Sequence, residues 1–210
     1  IRQISQEAFE FSCDQAEFDA IWHEYFSLDT DYSVINAMVP HDGSYLRRAV
    51  DYAGGMRILR QEPFETLISF IISQRRTIAS IRDCVSRLSQ HFGQDLADSV
   101  RDFPSPQSLA EASIDELASC GLGYRAPYVQ KTSRLIAQGE LALEELKNLP
   151  DSDMKAELMR APGVGEKVAS CVMLFAYHRL DAFPVDVWID RVLKKEFPGG
   201  FPFDRFCGLS

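Results

Sequence analysis

Residues 158–191 read LMRAPGVGEKVASCVMLFAYHRLDAFPVDVWIDR, and the punctuation of this stretch decides the fold. Pro162 cannot continue a helix, while Gly163 and Gly165 permit positive φ and close backbone approach. The spacing predicts a helix, a tight turn over Pro162-Gly163-Val164-Gly165, a second helix, a loop, and a third helix opening at Val185-Asp186. The second helix presents its unpaired N–H groups to whatever lies in front of the turn. An oxyanion is the natural ligand of such an end, and a nucleic-acid phosphate is one. Lys167 falls in the first turn of that helix. Asp186 follows 19 residues later, where aspartate is a preferred N-cap.

The same reading extends outward. Pro63 opens a strongly apolar helix over Phe64–Ile72, expected at the centre of the core, which stops at the polar, cationic run Ser73-Gln74-Arg75-Arg76-Thr77. An amphipathic helix follows over Ile78–His91, then a loop Phe103-Pro104-Ser105-Pro106 and a short helix near Ile114–Cys120. Gly121-Leu122-Gly123-Tyr124-Arg125 is a second glycine turn, leading into a helix over Ala126–Ala137; Glu140–Leu146 and Asp153–Arg160 precede the hairpin. Upstream, Cys13–Phe26 has one broad apolar face with Asp14 near its start, and Asp31 begins a short helix ended by Pro40. Essentially everything after residue 13 reads as helix. The expectation is an all-α fold of about ten short helices in two lobes, with a strand somewhere in Ser5–Phe11.

Composition sets bounds. The chain has 210 residues, 46% hydrophobic and 25% charged, as in an ordinary globular protein. No apolar run approaches the roughly 18–20 residues needed to span a bilayer, and no signal peptide is visible, so neither membrane residence nor secretion is expected. Cys13, Cys84, Cys120, Cys171 and Cys207 are odd in number and lack any C-x-x-C pair. That pattern fits reduced thiols in a cytoplasmic, nucleoid or nuclear setting, and no metal site. The formal net charge of −9 argues against a strong nonspecific DNA binder, but residues 1–45 hold nine carboxylates against Arg2 alone. The rest is near neutral and is free to offer a local basic face.

The runs MRILRQEPFETLISFIISQ, GLGYRAPYV and PGVGEKVASC…FPVDV resemble the helix-hairpin-helix (HhH-GPD) DNA glycosylase superfamily, in its 8-oxoguanine DNA glycosylase branch. The resemblance covers most of the chain. It implies two helical lobes with DNA-binding elements between them, with residues 1–12 a remnant of an antiparallel β domain and 13–210 the helical glycosylase region. It further implies β structure before Ile1 and another helix after Ser210, so that the chain is expected to be clipped at both ends. The four-Cys cluster of the endonuclease III branch is missing. The implied partner is damaged double-stranded DNA, bound by a monomer. No cofactor is expected, apart from a candidate seat for a monovalent cation on the hairpin backbone.

By that resemblance Lys167 is the nucleophile, forming a Schiff base at C1′ followed by β-elimination of the 3′ phosphate. An amine attacks only as its free base, and the positive end of a helix disfavours the ammonium form. Asp186, as an anion near the sugar, would stabilise the positive charge that develops as the glycosidic bond breaks. The plain alternative is a helical turn with a solvated lysine and a capping aspartate. Cys171, one turn after Lys167, either stacks against an extruded base or is a small buried apolar residue. Gly163, Val164 and Gly165 are the candidate phosphate grip. Extruding a base leaves a gap that something must fill. Arg75 stands at the family's gap-filling asparagine and Tyr124 at its wedge aromatic, with Gln74 and Arg76 beside them. The sequence departs from the pattern here, because Gln74-Arg75-Arg76-Thr77 replaces a run of asparagines. Ser80 replaces the arginine that reads an opposing cytosine, and Trp188 stands where the family often has a phosphate-binding histidine. A relative acting on another damaged base, and a non-catalytic DNA-binding fragment, are the other readings.

Overall fold

The computed structural model describes residues 1–5, 8–97 and 100–206. At its centre lies the helix Pro63–Ser73. Proline occupies its first turn, where no amide donor is required, and the Glu62 carboxylate accepts from the amides of Phe64 (3.0 Å) and Glu65 (2.6 Å). Leu67, Ile68, Ile71 and Ile72 have no exposed surface. A helix apolar on nearly every side must be surrounded. Around it pack Ile78–Phe92, Ala126–Ala137 and Glu166–Ala176. Full burial of each such side chain is worth about 1.5–3 kcal/mol, so this helix anchors the core.

Two stretches differ from the sequence expectation. Pro106–Glu111, which begins at the last residue of the expected loop Phe103–Pro106, is a helix packed closely on Ala126–Ala137. Ser105 caps it, accepting from Ser108 N at 3.1 Å. Pro106 is therefore an opening residue and not a break. Asp95–Ala97 pairs antiparallel with Val100–Arg101, inside a region expected to be helical. Local polar bonds close it: Asp102 accepts from Gln94 N (2.5 Å) and Arg101 pairs with Asp95 (2.8 Å). Too few apolar side chains lie here to hold a helix on the core.

The N-terminal segment forms a smaller body beside the core. Arg2–Gln3 pairs antiparallel with Phe9–Glu10, so the strand expected in Ser5–Phe11 is two residues long. Asp14, Asp31 and Ser44 cap the helical stretches that follow, and the first of these contains a π-helical insert at Phe18–Trp22. Gln61 N donates to Phe175 O (2.7 Å), and Arg60 N donates to Tyr25 O (2.9 Å). The chain thus crosses from the N-terminal body to the core helix against the end of Glu166–Ala176. Cys207 lies outside the described residues; Cys13, Cys84, Cys120 and Cys171 are free thiols. Among the described residues no helix is long and apolar enough to cross a membrane.

Candidate active site

The helix Asp151–Met159, the turn and the helix Glu166–Ala176 form the hairpin that the sequence announces. Gly163 adopts φ +84°, and a Cβ there would lie 2.9 Å from Tyr128 Cδ2, so glycine is required for both conformation and space. Gly165 is the N-cap but offers no side-chain acceptor, and the first intrahelical bond runs from Ala169 N to Gly165 O (2.9 Å). The amides before Ala169 therefore have no intrahelical partner. Three carbonyls of the turn accept a bond: Ala161 O from Val164 N (3.1 Å), Pro162 O from Thr132 Oγ1 (3.3 Å) and Gly163 O from Gln74 Nε2 (2.9 Å). A cation seated on them would rely on their second lone pairs.

Lys167 lies in the first turn of its helix, half-buried, with Nζ 4.9 Å from the centre of the Phe70 ring. Asp186 caps the helix Val187–Glu196, its Oδ1 accepting from Trp188 N (2.9 Å) and Ile189 N (2.8 Å). Both side chains border two concavities at once. One is a largely apolar cavity of about 530 Å³ walled by Tyr32, Phe70, Cys171, Phe175 and Phe183. The other is a groove of about 990 Å³ that runs past Gln74, Arg75, Arg76 and Trp188. Phe70, Lys167 and Asp186 line both. A ligand with an apolar ring and an anionic backbone can thus place the ring in one space and the backbone in the other, its junction at Lys167.

Cys171 faces the apolar cavity beside Lys167. Burial pushes its thiol up, the Lys167 charge partly opposing, so it stands in the pocket as a neutral, compact group. On the groove side, Arg75 is exposed with φ +52°, an unusual conformation for a side chain other than glycine or asparagine. Trp188 is 69% exposed, with the Arg191 guanidinium 4.9 Å from its ring. Arg76 is different. Its guanidinium turns inward to Gly121 O, Cys84 Sγ (2.6 Å) and Ser80 Oγ (3.2 Å). Tyr124 is 56% exposed and stands outside both concavities.

Sequence reasoning missed three contributors. Phe70 reads simply as an apolar position of its helix, and Tyr32 as the opening residue of a short one. Arg125 reads as the end of a glycine turn, yet it is 5% exposed, donating to Gln74 O and Leu122 O (3.4 Å), with its guanidinium 4.2 Å from the Tyr124 ring centre. A charged residue following a glycine turn is its one visible signal.

Residues 68–198 match the family model of the HhH-GPD superfamily base excision DNA repair protein, and residues 1–67 that of the 8-oxoguanine DNA glycosylase N-terminal domain. The two matches meet inside the helix Pro63–Ser73. Among curated relatives, a probable N-glycosylase/DNA lyase of Methanothermobacter thermautotrophicus is 33% identical over 73% of this chain and 56% of its own length. The N-glycosylase/DNA lyase of Saccharomyces cerevisiae is 32% identical over 83% and 50%. The chain spans about half the length of these relatives. Among solved structures, the apo-form of Clostridium acetobutylicum 8-oxoguanine glycosylase/lyase superposes with a TM-score of 0.85 at 38% identity, covering 90% of this chain and 67% of that one. Its complex with double-stranded DNA containing cytosine opposite 8-oxoG gives 0.84 at 36%, covering 93% and 69%.

Proposed function

The chain belongs to the HhH-GPD base-excision DNA repair superfamily, in its 8-oxoguanine glycosylase branch, and from that premise we propose that it is a DNA N-glycosylase with abasic-site lyase activity. Its substrate in this reading is 8-oxoguanine or a related oxidised purine in duplex DNA. The observation that carries the proposal is the shared wall: Lys167 and Asp186 stand between an apolar cavity and an open, partly cationic groove. A nucleotide turned out of the helix puts its base in the cavity, against Cys171, and its phosphates in the groove. About 530 Å³ lies within the usual range of small-ligand sites.

In the reaction, the free amine of Lys167 attacks C1′. The glycosidic bond breaks, and its electron pair leaves with the base, which takes up a proton. Asp186, fixed in place by its cap bonds, offsets the positive charge that grows on the sugar. Nitrogen then loses a proton, and the C1′–O4′ bond breaks with its electron pair going to O4′, which takes up a proton, leaving the open-chain Schiff base. Removal of a C2′ proton then expels the 3′ phosphate with the C3′–O electron pair, and water releases Lys167. The hairpin amides hold a flanking phosphate. The enzyme acts as a single chain on chromosomal DNA, in nucleoid or nucleus, and a monovalent cation on the hairpin carbonyls takes part in no step.

Borohydride reduction in the presence of a duplex containing 8-oxoguanine is the test. The wild-type protein is expected to be trapped covalently, and Lys167→Gln to bind the duplex without being trapped. A trapped Lys167→Gln would assign the nucleophile to another amine; an untrapped wild type would remove the lyase reading.

A further inference from the structure

The loop Ser73–Thr77 borders the groove, and a reciprocal pair of arginines joins it to the second glycine turn, Gly121–Arg125. The loop Ser73–Thr77 sends Arg76 across to Gly121 O of the second glycine turn. The second turn sends Arg125 back to Gln74 O of the loop. Gly121 aims its carbonyl at Arg76 by adopting φ +88°, and a Cβ there would come within 3.3 Å of Cys84 Sγ, so no other residue fits readily. Gln74 extends the connection to the hairpin through Nε2 to Gly163 O at 2.9 Å. The two arginine bonds each set a cationic donor on a main-chain carbonyl, and the Gln74 bond adds a neutral amide donor. The Arg76 fork reaches further than any single donor, since one nitrogen serves Gly121 and the other Ser80 and Cys84.

The side chains that project from this fused unit are Arg75 and Tyr124. Arg75 is exposed at φ +52°, on the loop that Arg76 ties down from the next position. Tyr124 is 56% exposed, its ring lying over the guanidinium of Arg125. A residue that enters a duplex must hold its place against the restacking of the bases, and a loop free to swing cannot. We propose that Arg76 is a positioning residue: with Arg125 it locks the loop Ser73–Thr77 to the turn Gly121–Arg125, so that Arg75 and Tyr124 enter DNA as one rigid two-pronged unit. This inference rests on the glycosylase reading above. It assigns Arg76 no contact with DNA; its effect passes through Arg75 and Tyr124.

Single-turnover excision from two duplexes tests it. In one the lesion is paired opposite cytosine; in the other it sits in a one-nucleotide bulge, where no partner must be separated and no gap held. Arg76→Met is expected to lower the rate on the paired duplex by about tenfold more than on the bulged one, the scale of coupling between contacting groups. Arg76→Lys, which keeps one donor, should fall between. Combining Arg76→Met with Arg75→Ala should cost less than the product of the separate losses, because a loosened loop no longer presents Arg75. Equal losses on both duplexes, or strictly multiplicative losses, would overturn the inference by making Arg76 an ordinary support of the fold. If Arg76→Met fails to fold, the paired-to-bulged ratio for Arg76→Lys decides by the same criterion. A wild type that excises from neither duplex marks the failure of the glycosylase reading instead.

Discussion

The two glycines of the hairpin should fail in opposite ways when each becomes alanine. At Gly163, φ is +84°, and the added methyl would meet Tyr128 Cδ2 at 2.9 Å, Cγ at 3.0 Å and Cβ at 3.2 Å. The left-handed conformation costs roughly 1–2 kcal/mol for a residue with a Cβ. The clash adds about 1–3 kcal/mol, since Cβ and Cγ of Tyr128 are fixed by their helix and cannot swing aside. A central figure of about 3 kcal/mol corresponds to a melting temperature lowered by roughly 6–12 °C in a protein of this size. At Gly165 the methyl enters open space and the backbone already has an ordinary φ of −101°. The weaker cap and the reduced freedom of the unfolded chain nearly cancel, leaving stability within about 1 kcal/mol. The methyl instead stands before the free amides, and duplex affinity should fall by about tenfold if a phosphate docks there. Thermal melts and duplex titrations at fixed salt separate the two. The reasoning is refuted if Gly163→Ala melts like the wild type, or if Gly165→Ala binds duplex as well as the wild type does.

Asp186→Asn keeps an Oδ1 acceptor for Trp188 N and Ile189 N but removes the charge. Excision should slow by about a hundredfold or more while stability changes by less than about 1 kcal/mol; a large melting shift with activity intact would make Asp186 purely a cap. Opposite-base preference should be weak, within about tenfold across the four bases, because Ser80 is short, Arg76 is engaged internally and Arg75 alone remains to read a base edge. A bidentate arginine gives roughly 1–3 kcal/mol, so a hundredfold preference for cytosine in single-turnover excision would assign that role to Arg75. His178 bonds to Ser27 Oγ (3.0 Å), and burial, helped by Arg60 and opposed by Asp29, holds its imidazole below the usual range. The unfolded chain then takes up the proton first, so the stability His178 contributes is complete above about pH 6.5 and lost as pH falls toward the folded value. Melting temperatures of His178→Asn should lose part of the wild-type decline between about pH 6.5 and 5; an unchanged decline would place the titration elsewhere.

What the sequence makes legible is local. Proline followed by two glycines signals a turn through the backbone alone, and Asp186 signals a helix start through its own side chain. The apolar density of Phe64–Ile72 requires a central position whatever surrounds it. Arg75 and Arg76 are adjacent, equally cationic and equally placed in a polar loop, yet one is exposed and the other turned inward. Their difference is set by a carbonyl 45 residues away, aimed by the positive φ of Gly121. No pattern within the loop encodes that. Phe70 is similar: helical spacing makes it a core residue, and only the approach of Lys167 from another helix makes it a wall of the cavity.

Net charge misleads for the same reason. A value of −9 counts every carboxylate alike, but many in the N-terminal body are committed to local bonds. Asp14 and Asp31 accept helix amides, Asp42 accepts from Ser44 N (2.9 Å), Glu10 pairs with Arg2 (2.6 Å) and Asp29 with Arg60 (3.0 Å). The groove sees a different balance, with Lys167, Arg75 and Arg76 on its walls against Asp186 and Asp190, Arg191 beside Trp188, and Asp190 tied to Lys194 at 2.7 Å. Screening over about 8 Å at physiological salt makes this nearby balance count for more than the distant total. The distant carboxylates still act at low salt, where their field reaches the approaching duplex. Affinity here should therefore fall less steeply with added salt than in a uniformly basic protein making the same phosphate contacts, because salt also screens the repulsion from residues 1–45.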